Sequence, residues 1–173
     1  MTGNLDNMLT GRVIKLGDHV DTDLIYPARY VPLVDPKQWA LHALEGVSDQ
    51  FPQRINPGNI IVAGRNFGCG SARSQAVSCL KMAGIAAIVA GSFGRIFFRN
   101  SINQGMPVIQ CAQAAKALHD GQKISIDLTG GSLSAQDLDL KFNPLPGFLL
   151  DILGADGLLN HTKRMLDAAK AEY

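Results

Sequence analysis

Compact apolar runs alternate with helix-spaced segments along most of the chain. Asn59 to Ala63 (NIIVA) and Ile85 to Ala90 (IAAIVA) have strand length and near-continuous apolar character, the pattern of strands covered on both faces. Gly11 to Lys15 (GRVIK) and Val108 to Gln110 add two shorter strands. Between them the spacing changes to that of helices. A helix is expected from Ser71, with Ala72, Ala76, Leu80 and Ala83 on one face, Val77 and Cys79 flanking, and Gly84 ending it. A second is expected over Phe93 to Asn103, with Ile96, Phe97 and Ile102 inward and Gly105-Met106-Pro107 as its stop. Upstream, Asp35 as N-cap, Pro36 at the first helical position and Gly46 as terminator predict a helix over Pro36 to Glu45.

The last third reads differently. Lys123 to Leu128 (KISIDL) alternates as a half-exposed strand, and Leu133 to Leu140 is its expected hairpin mate across Gly130-Gly131. Ala112 to His119, Phe148 to Leu153 and Gly157 to Ala171 complete the helices. Alternating strands and helices predict parallel pairing through right-handed crossovers. The hairpin makes the sheet mixed. The expectation is one α/β domain of three layers over residues 1–173, with a flexible lead over 1–10.

Composition narrows the function classes. The formal net charge is +1 over 173 residues and no basic run exceeds two residues, so neither nucleic acid nor an anionic membrane surface is an expected partner. No apolar stretch approaches the roughly 20 residues that span a bilayer. Met1 to Thr10 lacks the charged-then-apolar order of a signal peptide, and a cytoplasmic protein is expected. Three cysteines, Cys69, Cys79 and Cys111, are too far apart for a C-x-x-C site. No metal or cofactor site is therefore expected on this chain.

One segment carries chemistry. Gly64 to Ala76 runs from a strand through three glycines, Gly64, Gly68 and Gly70, into the start of a helix. Unpaired backbone N–H groups and a partial positive charge make such a place an anion site. Arg73 adds a fork that grips a carboxylate in bidentate fashion. Ser71 either caps the helix or faces the ligand. The spacing fits neither G-x-x-x-x-G-K-[ST] nor G-x-G-x-x-G, because Arg73 stands where the third glycine of the latter belongs. A nucleotide is not the favoured anion.

Asn66-Phe67-Gly68-Cys69-Gly70-Ser71-Ala72-Arg73 resembles the N-[FY]-G-x-G-S-S-R signature of the swivelling domain in the aconitase superfamily. Gly17-Asp18-His19-Val20-Asp21-Thr22-Asp23, with Ile25 and Pro27-Ala28-Arg29-Tyr30, is similar to the G-D-x-[IV]-D-T-D-x-I-x-P-x-x-Y segment of isopropylmalate dehydratase small subunits. Ser92 to Asn100, Gly105-Met106-Pro107 and Leu145 to Leu150 resemble that family's later motifs, in its order.

The resemblance implies a three-layer β/β/α swivelling domain with a mixed, mostly parallel sheet. It implies the small subunit of a heteromeric hydro-lyase acting on a hydroxy-dicarboxylic acid. The partner would be a large subunit that holds a [4Fe–4S] cluster, one iron of which binds the substrate as a Lewis acid; a heterotetramer is among the assemblies it allows. Ser71 corresponds to the catalytic base, acting as an alkoxide on the proton alpha to a carboxylate, and Arg73 to the arginine that clamps a carboxylate. Asn66, Gly68, Gly70, Ala72, Asp21, Asp23 and Arg29 are the corresponding substrate-binding positions. For Asp21 and Asp23, plain Asx-turns are an equal alternative. The family's S-S-R-E-H-A here reads Ser71-Ala72-Arg73-Ser74-Gln75-Ala76. By that comparison one side-chain hydrogen bond to the substrate, a charge and a titratable group are lost. The substrate stays open between isopropylmalate and those of homoaconitase, methylmalate or dimethylmalate dehydratases. A non-catalytic interaction module with the swivel fold is the competing class.

Overall fold

A computed structural model describes residues 7–171. Seven strands form one mixed sheet in the order β4-β3-β2-β1-β5-β6-β7. β1 (Met8–Lys15), β2 (Ile60–Ala63), β3 (Ala87–Ala90) and β4 (Val108–Gln110) are parallel neighbours. β5 (Lys123–Asp127), β6 (Ser132–Ala135) and β7 (Leu138–Lys141) continue from β1 in antiparallel fashion.

Two cores follow from the period-2 alternation of the strands. Ile14, Ile61, Ala63, Ile88 and Ala90 face the helical side. There they meet α1 (Thr22–Ile25), α4 (Gln75–Met82) and α5 (Arg95–Asn103) through Ile25, Val77, Leu80, Phe97 and Ile102. Val13, Ile60, Val62, Val89 and Ile109 point the other way. They meet α6 (Ala112–Ala117) through Ala114 and the curled antiparallel half through Ile124, Ile126, Leu133 and Leu140. β2 and β3 are buried at every position, which is why IIVA and AIVA carry no alternation. The three layers are sheet, curled sheet and helices.

Several expectations change. Residues 1–6 of the expected flexible lead lie outside the described residues, whereas Met8 to Thr10 pair with Asp127 to Ser125 in the sheet. The expected hairpin mate is two strands: the chain turns at Gln136, whose φ is 20°, and Leu133 pairs with both Ile126 and Leu140. The helix expected over Pro36 to Glu45 is α2 (Pro36–Ala40), capped by Asp35, whose side chain accepts from the Lys37 N–H. It stops early because Leu44, fully buried at φ 61°, donates its N–H to the Ile25 carbonyl at 2.8 Å. Ile96 is 54% exposed rather than inward. α3 (Phe51–Arg54), α7 (Gly147–Gly154) and α8 (Leu158–Ala171) complete the helices of the described residues, with a 3-10 turn at Ala28–Tyr30. No helix among them is long and apolar enough to cross a membrane.

Candidate active site

The site is built where the strand end of β2 meets the segment after β1. Two strand-like bridges hold the glycine loop open: Asp21 pairs with Cys69, and Phe67 with Phe93. Their backbone bonds are regular. Thr22 donates to the Cys69 carbonyl at 2.9 Å, Gly68 to Val20 at 2.7 Å, Phe67 to Ser92 at 2.9 Å and Gly94 to Phe67 at 2.8 Å. Phe67 is fully buried and meets the Phe93 and Phe97 rings edge-on, at 6.3 and 5.3 Å between centroids. That aromatic cluster is the floor of the loop. Gly68 lies on it at φ 71°, and a Cβ there would sit 2.1 Å from the Phe97 ring. Only glycine fits both conditions. Asn66 stands at φ 60°, a conformation asparagine tolerates. It is tied down by its N–H to Ser92 Oγ at 2.8 Å, and its amide lies 3.3 Å from the His19 ring.

Beyond Gly68 the chain leaves the expected path. α4 begins at Gln75, and Ser74 precedes it without a side-chain cap. Ser71 is therefore not the first residue of a helix, and it caps nothing. The face expected from Ala72 to Ala83 shrinks to Ala76, Val77, Cys79 and Leu80. Gly70 at φ 90° and the anchoring of Arg73 use Ser71 to Ser74 for a turn, in which Arg73 N–H bonds the Ser71 carbonyl at 2.8 Å. Ser71 and Ala72 are exposed. The Ser71 hydroxyl and the N–H groups of Gly70, Ser71 and Ala72 bond to no other group among the described residues. Three consecutive such amides can stabilise an anion, as a helix start would.

Arg73 is the best-anchored side chain of the loop. Its Nη1 donates to Asp23 Oδ1 at 2.6 Å and to the Tyr26 carbonyl at 3.2 Å, and its Nη2 to Asp23 Oδ2 at 3.2 Å. A guanidinium has five N–H donors; with three engaged, the Nε–H and the second Nη2–H remain, side by side on one edge. That edge is a ready fork for a carboxylate. The Arg73 hydrogen bonds hold the Asp23 carboxyl below the usual range, against the opposing effect of partial burial. Asp23 also accepts from the Ala28 N–H at 3.1 Å, which orders the next turn. Asp21 caps α1, taking the N–H groups of Asp23 and Leu24, each at 2.9 Å. For Asp21 the Asx role is real; Asp23 pairs with Arg73 instead.

Arg29 is not drawn to the glycine loop. Its Nη2 donates to Glu45 Oε1 at 2.5 Å, beside the Tyr30 hydroxyl at 2.6 Å, while His42 Nδ1 lies 2.6 Å from Oε2. The Tyr30 and His42 rings stack at 3.5 Å, and Arg29 lies over the Tyr30 ring. Burial raises the Glu45 carboxyl, but the bonds from Tyr30, His42 and Arg29 outweigh it and the net direction is down. Sequence reasoning missed Glu45 and His42. Nothing marks them locally; only the stop of α2 at Ala40 brings them against Tyr30.

The cysteines do not converge. Cys79 packs in the helical-side core and Cys111 in the core of the opposite face, while Cys69 lies in the loop. Burial pushes the Cys79 thiol up, so it is a packing group. No three metal-ligating side chains come together among the described residues, and this set does not fit a cluster.

Residues 37–114 match the aconitase C-terminal domain family. The chain is 46% identical to the 3-isopropylmalate dehydratase small subunit of Nautilia profundicola, covering 95% of this chain and 99% of that protein. It is 44% identical to 3-isopropylmalate dehydratase small subunit 1 of Methanopyrus kandleri, over 91% and 94%. The crystal structure of 3-isopropylmalate dehydratase from Methanocaldococcus jannaschii superposes with a TM-score of 0.88 at 40% identity, covering 95% of this chain and 99% of that one. Aconitase X of Thermococcus kodakaraensis shares the fold at a TM-score of 0.54 and 23% identity.

Proposed function

The chain belongs to the family of 3-isopropylmalate dehydratase small subunits, and from that premise we propose that its glycine loop carries the proton-transfer half of a divided active site. The chain is the small subunit of a hydro-lyase of leucine biosynthesis and works with a large subunit. The observation that carries the loop's role is an exposed, unengaged Ser71 hydroxyl two residues before an Arg73 that Asp23 and Tyr26 hold with its Nε–Nη2 edge unengaged.

Arg73 takes one carboxylate of a hydroxy-dicarboxylate on its Nε–Nη2 edge. Ser71, as alkoxide, removes the proton on the carbon alpha to that carboxylate. The alkoxide is stabilised by the neighbouring guanidinium and by the amides of Gly70, Ser71 and Ala72, in place of a helix start. Ala72 contributes through its backbone, where the usual second serine would add a hydroxyl. Asn66, Gly68 and Gly70 shape the loop, Asp21 and Asp23 hold its other wall, and Arg29 orders the adjoining segment through Glu45. The reading assigns the [4Fe–4S] cluster to the large subunit, and it is supported by the separation of Cys69, Cys79 and Cys111 into three places. A cytoplasmic heterodimer or heterotetramer, in which residues 1–173 act as one swivelling unit, completes the reading.

Reconstitution tests it. The chain alone should turn over none of 3-isopropylmalate and related hydroxy-dicarboxylates and should bind no iron. With the large subunit it should form the unsaturated acid from 3-isopropylmalate, followed by absorbance. Turnover by the isolated chain, or stoichiometric iron on it, overturns the division of labour.

A further inference from the structure

Thr22 poses a problem that the site as described does not solve. It is 2% exposed, and its hydroxyl is a buried side-chain polar atom with no hydrogen-bond partner among the described residues. Burying a hydroxyl unpaired costs stability, and valine has the same shape without that cost. The helix gives the hydroxyl no work. Asp21 already caps α1, taking the N–H groups of Asp23 and Leu24 at 2.9 Å.

The hydroxyl instead faces the loop. Gly70 stands over it at φ 90°, so placed that a Cβ there would be 3.3 Å from Thr22 Oγ1. The spacing is fixed by the main chain, because the Thr22 N–H bonds the Cys69 carbonyl at 2.9 Å. Directly past Gly70 lie Ser71 and Ala72, whose backbone N–H groups bond to nothing among the described residues. An unsatisfied buried hydroxyl and an unsatisfied stretch of backbone therefore meet at one glycine.

We propose that Thr22 is a positioning residue for the loop: its hydroxyl bonds the Gly70–Ser71 backbone once the loop settles around substrate, and so fixes where the Ser71 oxygen stands. The inference rests on the reading of Ser71 as the proton-transfer group. The absence of a Cβ at Gly70 leaves room for that movement. The hydroxyl acts through the backbone and touches no reacting atom, since it is sealed from solvent.

The test uses Thr22→Val and Thr22→Ser in the complex with the large subunit, with thermal denaturation of each variant alongside. Thr22→Val should melt at the same temperature as the wild type or higher, while kcat falls about tenfold, as for a misplaced catalytic group, and KM changes by less than about twofold. Thr22→Ser keeps the hydroxyl and should restore kcat. Unchanged kcat in Thr22→Val overturns the proposal. So does a fall in kcat matched by a fall in melting temperature, which would make Thr22 a packing residue. If the wild-type complex is itself inactive on 3-isopropylmalate, the Ser71 reading fails separately. Hydrogen exchange then decides for Thr22: in the complex saturated with 3-isopropylmalate, the amides of Gly70 to Ala72 should exchange faster in Thr22→Val than in wild type or Thr22→Ser, and equal rates overturn the proposal.

Discussion

The two walls of the site are finished to different degrees. In the wall from Asp21 to Glu45, Asp21 caps a helix, Asp23 holds Arg73 and the Ala28 amide, and Glu45 collects Arg29, Tyr30 and His42. In the glycine loop, the backbone ties run through Gly68 to Cys69, whose carbonyl takes the Thr22 N–H, and then lapse until Arg73. Phe67 and Gly68 are locked on the Phe93 and Phe97 rings, whereas Ser71 and Ala72 are exposed, with their amides and the serine hydroxyl unengaged. Such a division suits a site completed by another subunit. Charges that must aim a carboxylate are fixed in advance, since preorganised dipoles give most of the electrostatic benefit. The proposed proton-transfer group, Ser71, stays uncommitted.

The largest effect should come from the open wall. Ser71→Ala in the reconstituted enzyme should lower kcat by about 10²–10⁴-fold, as for a lost proton-transfer group. Folding stability should change by less than about 0.5 kcal/mol, the range of exposed substitutions without a structural role. The sequence alone leaves a cap open for this serine, which would cost about 1 kcal/mol on substitution; with α4 starting at Gln75 that cost should be absent. Steady-state kinetics and a denaturant melt of one variant check both halves. A stable but fully active variant would remove Ser71 from the chemistry.

The junction between locked and open comes next. Gly68→Ala forces φ 71° on a residue with a Cβ and drives that Cβ to 2.1 Å from the Phe97 ring. Left-handed backbone and overpacking together should cost about 2–5 kcal/mol, read from the urea midpoint. A loss below about 1 kcal/mol would show that the aromatic floor yields easily and that the loop is not locked there.

What the sequence makes legible divides along the same line. NIIVA and IAAIVA announce buried parallel strands because both faces are covered. Asp35-Pro36 announces a helix start because its signals are local. The candidate residues Asp21 and Asp23, far from Arg73 in sequence, lie together with it in the structure. The misreadings are tertiary in origin. The register of α4 depends on Arg73 being pulled toward Asp23, 50 residues away in sequence. The end of α2 depends on Leu44 bonding the Ile25 carbonyl. Ile96 has helical spacing but lies on the exposed side of α5. Glu45 and Thr22 become visible only through distances.

Arg73→Lys probes whether the finished wall supplies a fork or merely a charge. Lysine cannot hold Asp23 and the Tyr26 carbonyl while offering a second pair of donors. The loss of one charge-assisted hydrogen bond, about 1.5–3 kcal/mol, corresponds to a KM raised about 10- to 100-fold. The kcat should fall less. An unchanged KM would mean that the free edge of Arg73 does not meet substrate.

The smallest effect concerns acid stability of the finished wall. Glu45 and Asp23 both have carboxyls held below the ordinary range, Glu45 by hydrogen bonds that outweigh its burial and Asp23 chiefly by Arg73. A carboxyl depressed in the folded state stabilises the fold fully above its unfolded pKa, about 4. That stability is lost as pH falls through the lower folded value. The two contributions should differ. The Glu45 side chain is 14% exposed and has three partners, so Glu45→Gln should remove about 1 kcal/mol at pH 7 and flatten the acid limb of the stability curve. The Asp23 side chain is 55% exposed, and solvent screening should limit Asp23→Asn to a few tenths of a kcal/mol. Urea melts between pH 7 and pH 3 separate the two. If Asp23→Asn flattens the acid limb as much as Glu45→Gln, the Arg73 pair is the structural tie of this wall, and the Glu45 cluster is not.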